Sequence, residues 1–253
     1  MGFFTRFAKS RTVAAVPRAV PAGTLVYAIG DIHGRDDLFA SLLARIADDR
    51  QQRSHERCVL ILLGDLVDRG PDSDRVVERA MKIGAQFDGF HYLIGNHEEC
   101  MLAALGGDVR ALRYFVRIGG DATVRSYIRD DAVYDAANFD ELAELFPPAV
   151  PKAHVDFLGN GEDLVEYGDY VFVHAGVRPG VALDKQRSSD LRWIREDFLE
   201  HEEDFGRMII HGHTIRENVD EQTNRIGIDT GAFSTGKLTA LGLSGTDRWT
   251  LQT

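Results

Sequence analysis

The sequence contains few cysteines, and this scarcity limits the kinds of structure that it can form. Cys58 and Cys100 are the only two in 253 residues, and neither belongs to a Cys-x-x-Cys pair. A disulfide framework and a cysteine zinc knuckle are therefore excluded as the basis of the fold. Free cysteines that serve as small apolar residues are typical of a reducing compartment, so we predict a cytoplasmic protein.

Long apolar segments are also missing. The longest apolar run, at 58–63, has the length of a strand. A membrane-spanning helix needs about 18 or more apolar residues, so the sequence predicts no membrane partner.

Basic residues are outnumbered by acidic ones. The sequence contains 29 Lys and Arg residues and 40 Asp and Glu residues, which gives a formal net charge of −11 at pH 7. No basic surface is available for phosphate contacts, so nucleic acid is excluded as a partner. Residues 1–23 are the exception, with four basic residues and no acidic one. Because charges interrupt the apolar residues and Pro17 and Pro21 follow, we expect a disordered basic tail rather than a secretory signal, and one folded domain over 24–253.

What the sequence does contain is a set of five short segments that place Asp, Asn or His beside glycine, directly after an apolar run. The segments are Gly30-Asp31-Ile32-His33-Gly34, Gly64-Asp65-Leu66-Val67-Asp68-Arg69-Gly70, Gly95-Asn96-His97-Glu98, His174-Ala175-Gly176 and His211-Gly212-His213-Thr214. Carboxylate, amide oxygen and imidazole suit Mn²⁺, Fe²⁺ or Zn²⁺, and one carboxylate can bridge two ions. Five strand ends that deliver such ligands to one place predict a two-metal hydrolytic centre.

Residues 24–99 predict an α/β pattern. Strands are expected at 25–29, 59–63 and 91–94, and helices at 36–49 and 73–84. Alternation with about 30 residues per unit predicts parallel strands joined by right-handed crossovers. Ligands of such sheets bind beyond the carboxyl ends of the strands, which is where the motifs lie.

The remainder of the chain has a different pattern. Residues 100–150 lack strand signals and predict a helical insertion beside the active face rather than a separate domain. Short strands return from residue 165 onward, around a helix expected at 189–199. The last strands, expected at 225–228, 237–243 and 249–251, are closely spaced, so we predict antiparallel hairpins that form a second sheet.

This ordered set of motifs resembles the PPP family of metallophosphoesterases, and within it the small bacterial and phage-type serine/threonine protein phosphatases. The resemblance extends from residue 24 to about 245. It includes three further segments, Gly119-Gly120 with Ser126-Tyr127, Leu191-Arg192-Trp193-Ile194-Arg195, and Ile228-Asp229-Thr230-Gly231-Ala232. It implies a four-layer αββα sandwich of the calcineurin-like type, with a dimetal site at the strand ends.

The resemblance also implies a set of metal ligands and a pair of ions. Asp31 and His33 would bind the first metal, and Asp65 would bridge both. The second metal would be bound by Asn96, His174 and His213. Two divalent ions are implied, with Mn²⁺ expected first and Fe or Zn as alternatives.

Substrate-binding and catalytic roles follow from the same resemblance. Arg69 would bind the phosphate oxygens, together with the metal ligand Asn96. Arg195 is a second candidate for phosphate binding, with its neighbour Arg192 as a rival. His97 would be the general acid that protonates the leaving group. Asp68 would orient it, or would only cap the next helix.

Three other polar residues near the motifs receive no catalytic assignment. Glu98 either supports the site or starts a helix. Asp229 either supports the site or holds a turn. His211 is expected to point away from His213 and to be a packed or supporting residue.

We therefore expect a metal-dependent phosphomonoesterase that acts on phosphoserine and phosphothreonine in proteins, by direct in-line attack of metal-activated water. The alternative is a symmetrical diadenosine tetraphosphate hydrolase or another nucleotide phosphatase with the same metal motifs. Asp68 and Glu98 resemble the protein phosphatase version of their motifs. A more remote alternative is a regulatory module that binds metal without catalysis.

Overall fold

Two five-stranded mixed sheets form the centre of the structure, a computed structural model that describes residues 17–253. The strands are β1 (Thr24–Ile29), β2 (Arg57–Leu62), β3 (Gly89–Tyr92), β4 (Leu164–Tyr167), β5 (Tyr170–Val173), β6 (Met208–His211), β7 (Asp220–Glu221), β8 (Arg225–Gly227), β9 (Thr239–Ser244) and β10 (Asp247–Gln252). The helices are α1 (Asp36–Gln51), α2 (Ser73–Ile83), α3 (Asn96–Leu105), α4 (Val109–Phe115), α5 (Asp121–Ile128), α6 (Asp131–Ala136), α7 (Phe139–Ala149), α8 (Lys152–Gly159), α9 (Ser188–Trp193), α10 (Glu196–Leu199) and α11 (Ala232–Thr235). A π-helical turn at Val116–Gly120 joins α4 to α5.

The first sheet has the strand order β10-β9-β1-β2-β3. Strands β1, β2 and β3 are parallel, as the strand–helix alternation predicted, whereas β9 and β10 run antiparallel. The prediction that the last strands all belong to a second sheet is wrong. The β9–β10 hairpin pairs with β1, and it covers an edge that would otherwise expose unpaired backbone groups.

The second sheet has the order β4-β5-β6-β8-β7. Its central strands β5, β6 and β8 are parallel, and the edge strands β4 and β7 are antiparallel to their neighbours. The segment predicted at 225–228 therefore pairs in parallel with β6 instead of forming a hairpin with the strand that follows it. Close spacing along the chain does not decide which sheet a strand joins.

Alternate residues of each strand face two different cores. Leu25, Tyr27 and Ile29 pack beneath α1, α2 and the helices that follow β3, whereas Val26 and Ala28 pack against the second sheet. Residues of the second sheet alternate in the same way, and its outer face packs on α9 and α10. This period-two pattern builds the layers helix, sheet, sheet, helix. The αββα sandwich implied by the resemblance is confirmed.

The helices differ from the predicted bounds in two places. Helices α3 to α8 occupy residues 96–159, a longer stretch than the predicted insertion. The helix predicted at 189–199 is instead the two short helices α9 and α10, because Ile194 and Arg195 leave the helical backbone conformation. Arg195 therefore lies at a break between helices. Within residues 17–253, none of the helices is long and apolar enough to cross a membrane.

Residues 17–23 pack against the domain, although the sequence assigned them to a disordered tail. Val20 is 3% exposed, and its N–H donates to the carbonyl of Gly245 at 3.0 Å. The carbonyl of Ala19 accepts from the N–H of Asp169 at 2.9 Å. The tail boundary predicted at residue 23 is thus wrong, because Val20 supplies apolar surface to the core between the sheets. The rest of the predicted tail, residues 1–16, lies outside the described residues.

We predict that Gly242→Ala destabilises the first sheet. Gly242 pairs with Trp249 across the β9–β10 hairpin, and a Cβ atom at residue 242 would overlap the indole. The indole has little freedom to move, because its Nε1–H donates to Asp49 at 3.0 Å and its ring contacts Tyr27 edge-on. The free energy of unfolding in urea should fall by about 1–3 kcal/mol. Gly159→Ala, where a Cβ atom meets nothing within 4 Å, should change it by less than about 0.5 kcal/mol. Equal losses in both variants would contradict the prediction.

Candidate metal centre

The loops that carry the motifs have an unusual backbone. Six non-glycine residues in the described part of the chain have a positive φ, and five of them belong to the motifs: His33, Asp65, Asp68, Arg69 and His213. This left-handed conformation is rare outside glycine and clusters at functional sites. Its turns fold the side chains back over the ends of β1, β2, β3, β5 and β6, where they meet.

Asp65 lies at the centre of this group. Its Oδ2 atom is 3.6 Å from Nε2 of His33 and 3.5 Å from Nε2 of His174. Only 2% of Asp65 is exposed. Its carboxylate thus faces imidazole nitrogens that arrive from both sheets, which is the arrangement that a carboxylate bridge between two cations requires.

The other three expected ligands lie in the same buried cluster. Oδ1 of Asn96 is 3.0 Å from Nε2 of His174 and 2.8 Å from Nδ1 of His213. The carboxylate of Asp31 accepts the backbone N–H of His213, at 3.1 Å and 3.0 Å to its two oxygens. The structure therefore brings together all six residues that the sequence proposed as ligands.

Two of the imidazole rings are oriented by backbone carbonyls. Nδ1 of His33 lies 2.8 Å from the carbonyl of Val67, and Nδ1 of His174 lies 2.8 Å from the carbonyl of Leu63. A carbonyl oxygen can only accept, so each Nδ1 carries the proton and each Nε2 presents a lone pair to the site. Partners of this kind commonly fix the orientation of metal-binding histidines.

The electrostatics of the cluster favour added positive charge. Burial raises the pKa of Asp65 to about 6, and burial together with the charges of Asp229 and Asp65 raises the pKa of Asp31 well above its ordinary value. Burial lowers the pKa of His174 to about 4 and strongly lowers the pKa of His213. His174 and His213 are therefore neutral near pH 7, and Arg69 together with backbone N–H groups offsets only part of the pKa rise of the two carboxylates.

These features fit two divalent cations. Nε2 of His213 is buried and has no hydrogen-bond partner among the described residues. The potential ligand atoms of two groups lie within 4.8 Å of one another: His33, Asp65 and His97 form one, and Asp65, His174 and His213 the other. Oxygen and nitrogen donors without thiolate suit Mn²⁺, Fe²⁺ or Zn²⁺.

His97 and Asp68 form a buried pair at the edge of the cluster. Nδ1 of His97 lies 2.5 Å from Oδ2 of Asp68, and Nε2 lies 3.9 Å from the carboxylate of Asp65. Asp68 is fully buried. Its contact with Nδ1 directs the other ring nitrogen of His97 into the site, as a proton donor to substrate requires. Nη2 of Arg69 is 3.0 Å from that same Nε2 atom.

The two arginines of the 191–195 segment have different surroundings. Arg192 donates to Glu99 at 2.9 Å and to Asp163 at 2.7 Å, so its charge is already paired. Arg195 is exposed. Burial is the main cause that lowers the pKa values of His97 and His213, and the positive charge of Arg195 contributes to both. Arg195 is therefore the better candidate for contact with a phosphate group.

Sequence reasoning missed the role of Glu98. Its buried carboxylate accepts the backbone N–H groups of Asp65 and Leu66, each at 2.8 Å, and that of Gly95 at 2.9 Å. Burial raises its pKa to about 7. Glu98 thus ties the third motif to the loop that carries Asp65, and its position directly after Asn96-His97 was the available signal.

Two other contributions depend on contacts across long stretches of sequence. Phe233 in α11 lies under the guanidinium of Arg69, with 4.7 Å from Cζ to the ring centroid, and meets His33 edge-on at 5.5 Å. One carboxylate oxygen of Asp229 accepts from the N–H of Gly231 at 2.9 Å. The other is buried and has no hydrogen-bond partner within residues 17–253. Asp229 therefore both holds a turn and adds negative charge beside Asp31.

Comparison with family models agrees with this geometry. Residues 24–226 match the model of the calcineurin-like phosphoesterases, which covers most of the chain and all five motifs.

Curated relatives match a part of the chain. The symmetrical bis(5'-nucleosyl)-tetraphosphatase of Delftia acidovorans is 36% identical over 154 residues, which are 61% of this chain and 45% of the relative. The protein of the same name from an Acidovorax species is 35% identical over 156 residues, or 61% of this chain and 44% of the relative. The matched region thus spans less than half the length of these relatives.

Solved structures share the fold. One assigned as a diadenosine tetraphosphatase superposes with a TM-score of 0.59 at 20% identity, over 92% of this chain and 98% of the other. A cold-active protein tyrosine phosphatase gives 0.53 at 20% identity, over 92% and 81%. At these identities the likeness concerns the fold alone.

We predict that Asp65→Asn stabilises the metal-free protein while it weakens metal binding. Asn keeps an acceptor for the backbone N–H of His97, which donates to Oδ1 at 3.1 Å. At pH 7 the wild-type carboxylate is ionised although burial raises its pKa to about 6. The buried negative charge therefore destabilises the folded state, and its removal should raise the free energy of unfolding in EDTA by about 1–3 kcal/mol.

The pH dependence follows from the sign of the shift. The folded state binds this proton more tightly than the unfolded state. The gain is therefore complete above pH 6 and should shrink as the pH falls towards 4. The rise in melting temperature that Mn²⁺ gives the wild type should be largely lost in the variant. A variant that binds Mn²⁺ as tightly as the wild type, by titration calorimetry, would contradict a bridging role.

Proposed function

The chain belongs to the calcineurin-like phosphoesterase family, and on this basis we propose that it hydrolyses dinucleoside tetraphosphates symmetrically. The proposal rests on the curated relatives, which carry this activity in their names and are 35–36% identical over 61% of this chain. It reverses the order expected from the sequence, which put protein phosphatase activity first. The metallophosphoesterase chemistry is common to both.

The site is arranged to bind a phosphoryl group and its neighbours. Arg69 presents a planar guanidinium held over Phe233, and this shape suits two phosphate oxygens at once. Arg195 supplies a second, exposed cation. These charges provide local attraction for an anionic substrate in a protein whose net charge is −11.

The proposed ligands are those that the structure gathers around Asp65. Two divalent ions would be held by Asp31, His33, Asp65, Asn96, His174 and His213. When bound, such ions activate water near neutral pH and neutralise charge on the transferring phosphoryl group. In this proposal His97 acts as the imidazolium. Its Nδ1–H stays bonded to Asp68, Arg69 turns from Nε2 to the phosphate oxygens, and Nε2 gives its proton to the leaving oxygen and is left neutral.

A second candidate, hydrolysis of phosphoserine and phosphothreonine, is favoured by the His97–Asp68 pair. An alkoxide is a poor leaving group and needs a proton donor, whereas a nucleoside diphosphate leaves more readily. A buried imidazole–carboxylate contact of 2.5 Å is a feature that the more demanding leaving group would use.

The substrate is tested by one side-by-side assay of the Mn²⁺-loaded protein. We expect kcat/KM for diadenosine tetraphosphate to exceed that for phosphoserine and phosphothreonine peptides by at least about 10-fold, or 1.4 kcal/mol. Because the cleavage is symmetrical, ADP should be the sole nucleotide product. The Asp65→Asn variant is the inactive control for hydrolysis by contaminating enzymes. A higher value for the peptides would replace this proposal by the second candidate, with the metal site unchanged.

The proton donor is tested separately with His97→Ala. Loss of the imidazole should slow hydrolysis of phenyl phosphate far more than that of p-nitrophenyl phosphate, whose leaving group needs little protonation. We expect at least about a 10-fold difference between the two losses in kcat, within the range that general acids contribute. Equal losses on both substrates would remove His97 from the acid role.

A further inference from the structure

Asp68 and Arg69 are held in a backbone conformation that they do not favour on their own. Both are non-glycine residues with positive φ, 75° and 68°, and they follow each other directly. Each such residue costs about 1 kcal/mol or more and persists only where its surroundings enforce it. The elements that enforce this conformation therefore control where His97 and Arg69 point.

The enforcing contacts come from the start of α5 and the π-helical turn before it. The N–H of Arg69 donates to the carbonyl of Gly119 at 2.9 Å. The N–H of Asp68 donates to Oγ1 of Thr123 at 2.8 Å and is shared with Oγ of Ser73 at 3.0 Å. Both strained residues are thus fixed by residues some 50 positions away in the helical insertion, and Asp68 is also held by Ser73 at the start of α2.

Thr123 also fixes the carboxylate of Asp68. Its hydroxyl donates to Oδ1 at 2.7 Å, while Oδ2 lies 2.5 Å from Nδ1 of His97. With both oxygens engaged, the plane of the carboxylate cannot rotate, so the imidazole ring is directed at the site. Thr123 and Asp68 are fully buried, and water does not compete for these bonds.

Gly119 fixes the position of Arg69 in a similar way. Its φ of 117° lies in the region that favours glycine, and a Cβ atom there would lie 2.8 Å from Cγ of Arg69. The π-helical turn brings its backbone against the arginine. Turns of this kind are frequent at functional sites.

We infer that the segment 119–123 is a positioning element for the active site. Thr123 orients His97 through Asp68, and Gly119 orients Arg69 through its backbone. The inference rests on the proposed function in one respect, which is that His97 donates a proton and Arg69 binds phosphate. It assigns a role to the Gly119-Gly120 segment and to a threonine that the motif set does not contain.

The role of Thr123 is tested with Thr123→Val, which keeps the shape and removes the hydroxyl. In the Mn²⁺-loaded enzyme we expect kcat for phenyl phosphate to fall at least about 10-fold, with a loss below about 3-fold for p-nitrophenyl phosphate. Thr123→Ser should restore both rates. The downfield proton NMR signal of the His97 Nδ1–H should shift in Thr123→Val and return in Thr123→Ser. Thr123→Ala is the second variant, should Thr123→Val not fold.

Ser126→Ala is the matched control for this test. Ser126 lies one turn further along α5, and its buried hydroxyl donates to the carbonyl of Thr123 without contacting Asp68. It should cost stability and leave the ratio of the two substrate rates unchanged. If Thr123→Val behaves like Ser126→Ala while His97→Ala discriminates between the substrates, the inference fails and the proposed acid stands. If His97→Ala does not discriminate, both fail.

The role of Gly119 is tested with Gly119→Ala against Gly107→Ala. Both glycines have positive φ, 117° and 82°, but a Cβ atom at Gly107 meets nothing within 4 Å. The two variants share the backbone penalty and differ in the contact with Arg69. Gly119→Ala should weaken competitive inhibition by inorganic phosphate at least about 5-fold, while Gly107→Ala should leave the inhibition constant unchanged. Equal effects would overturn the role of Gly119.

Discussion

The burial of several carboxylates at one edge of the sandwich is the constraint on which the rest of the structure depends. Asp31, Asp65, Asp68 and Glu98 are each at most 2% exposed, so water solvates none of them well. An isolated buried carboxylate would be neutralised or would destabilise the fold. Each of the four therefore needs a specific partner, and together those partners account for most of the unusual features of the site.

The partners fall into two groups that do different work. Backbone N–H groups bind Glu98 and Asp31, and these bonds join loops that follow different strands. Side chains engage Asp68 at both oxygens. Backbone N–H groups and Arg69 offset only part of the pKa rise of Asp65 and Asp31, so the centre of the site still favours cations.

Close approach of the loops is possible because glycine stands at the crossing points. A Cβ atom at Gly95 would overlap Oδ1 of Asp65, and one at Gly212 would overlap Oδ1 of Asp31. Glycine at these two positions lets the third and fifth motifs lie directly against the carboxylates of the others. Replacement of Gly95 and Gly212 by alanine would therefore push apart elements from both sheets.

The grouping of the six proposed ligands could be predicted from sequence, because each follows a strand directly and the carboxyl ends of parallel strands meet at one edge. The first sheet, apart from β9 and β10, was predictable for the same local reasons. Three features could not be predicted from the sequence: the pairing of the β9–β10 hairpin with β1, the break between helices at Arg195, and the contacts of Phe233 and Thr123. Each depends on pairing between residues distant in sequence, which periodicity and spacing do not encode. Backbone strain at Asp68 and Arg69 is likewise a property of the assembled fold.

Residues close to the strand ends and residues from distant parts of the chain serve different steps of the proposed chemistry. The two candidate substrates share a transferring phosphoryl group and differ in the group that leaves. The parts that serve the shared chemistry, centred on Asp65, come from strand ends and short turns. The contacts that position Arg69 and His97 come from elsewhere: Gly119 and Thr123 belong to the helical insertion, and Phe233 belongs to α11. Residues 100–150 and α11 carry none of the six proposed metal ligands. The orientation of His97, the proposed proton donor, therefore depends on the contact between the insertion and Asp68.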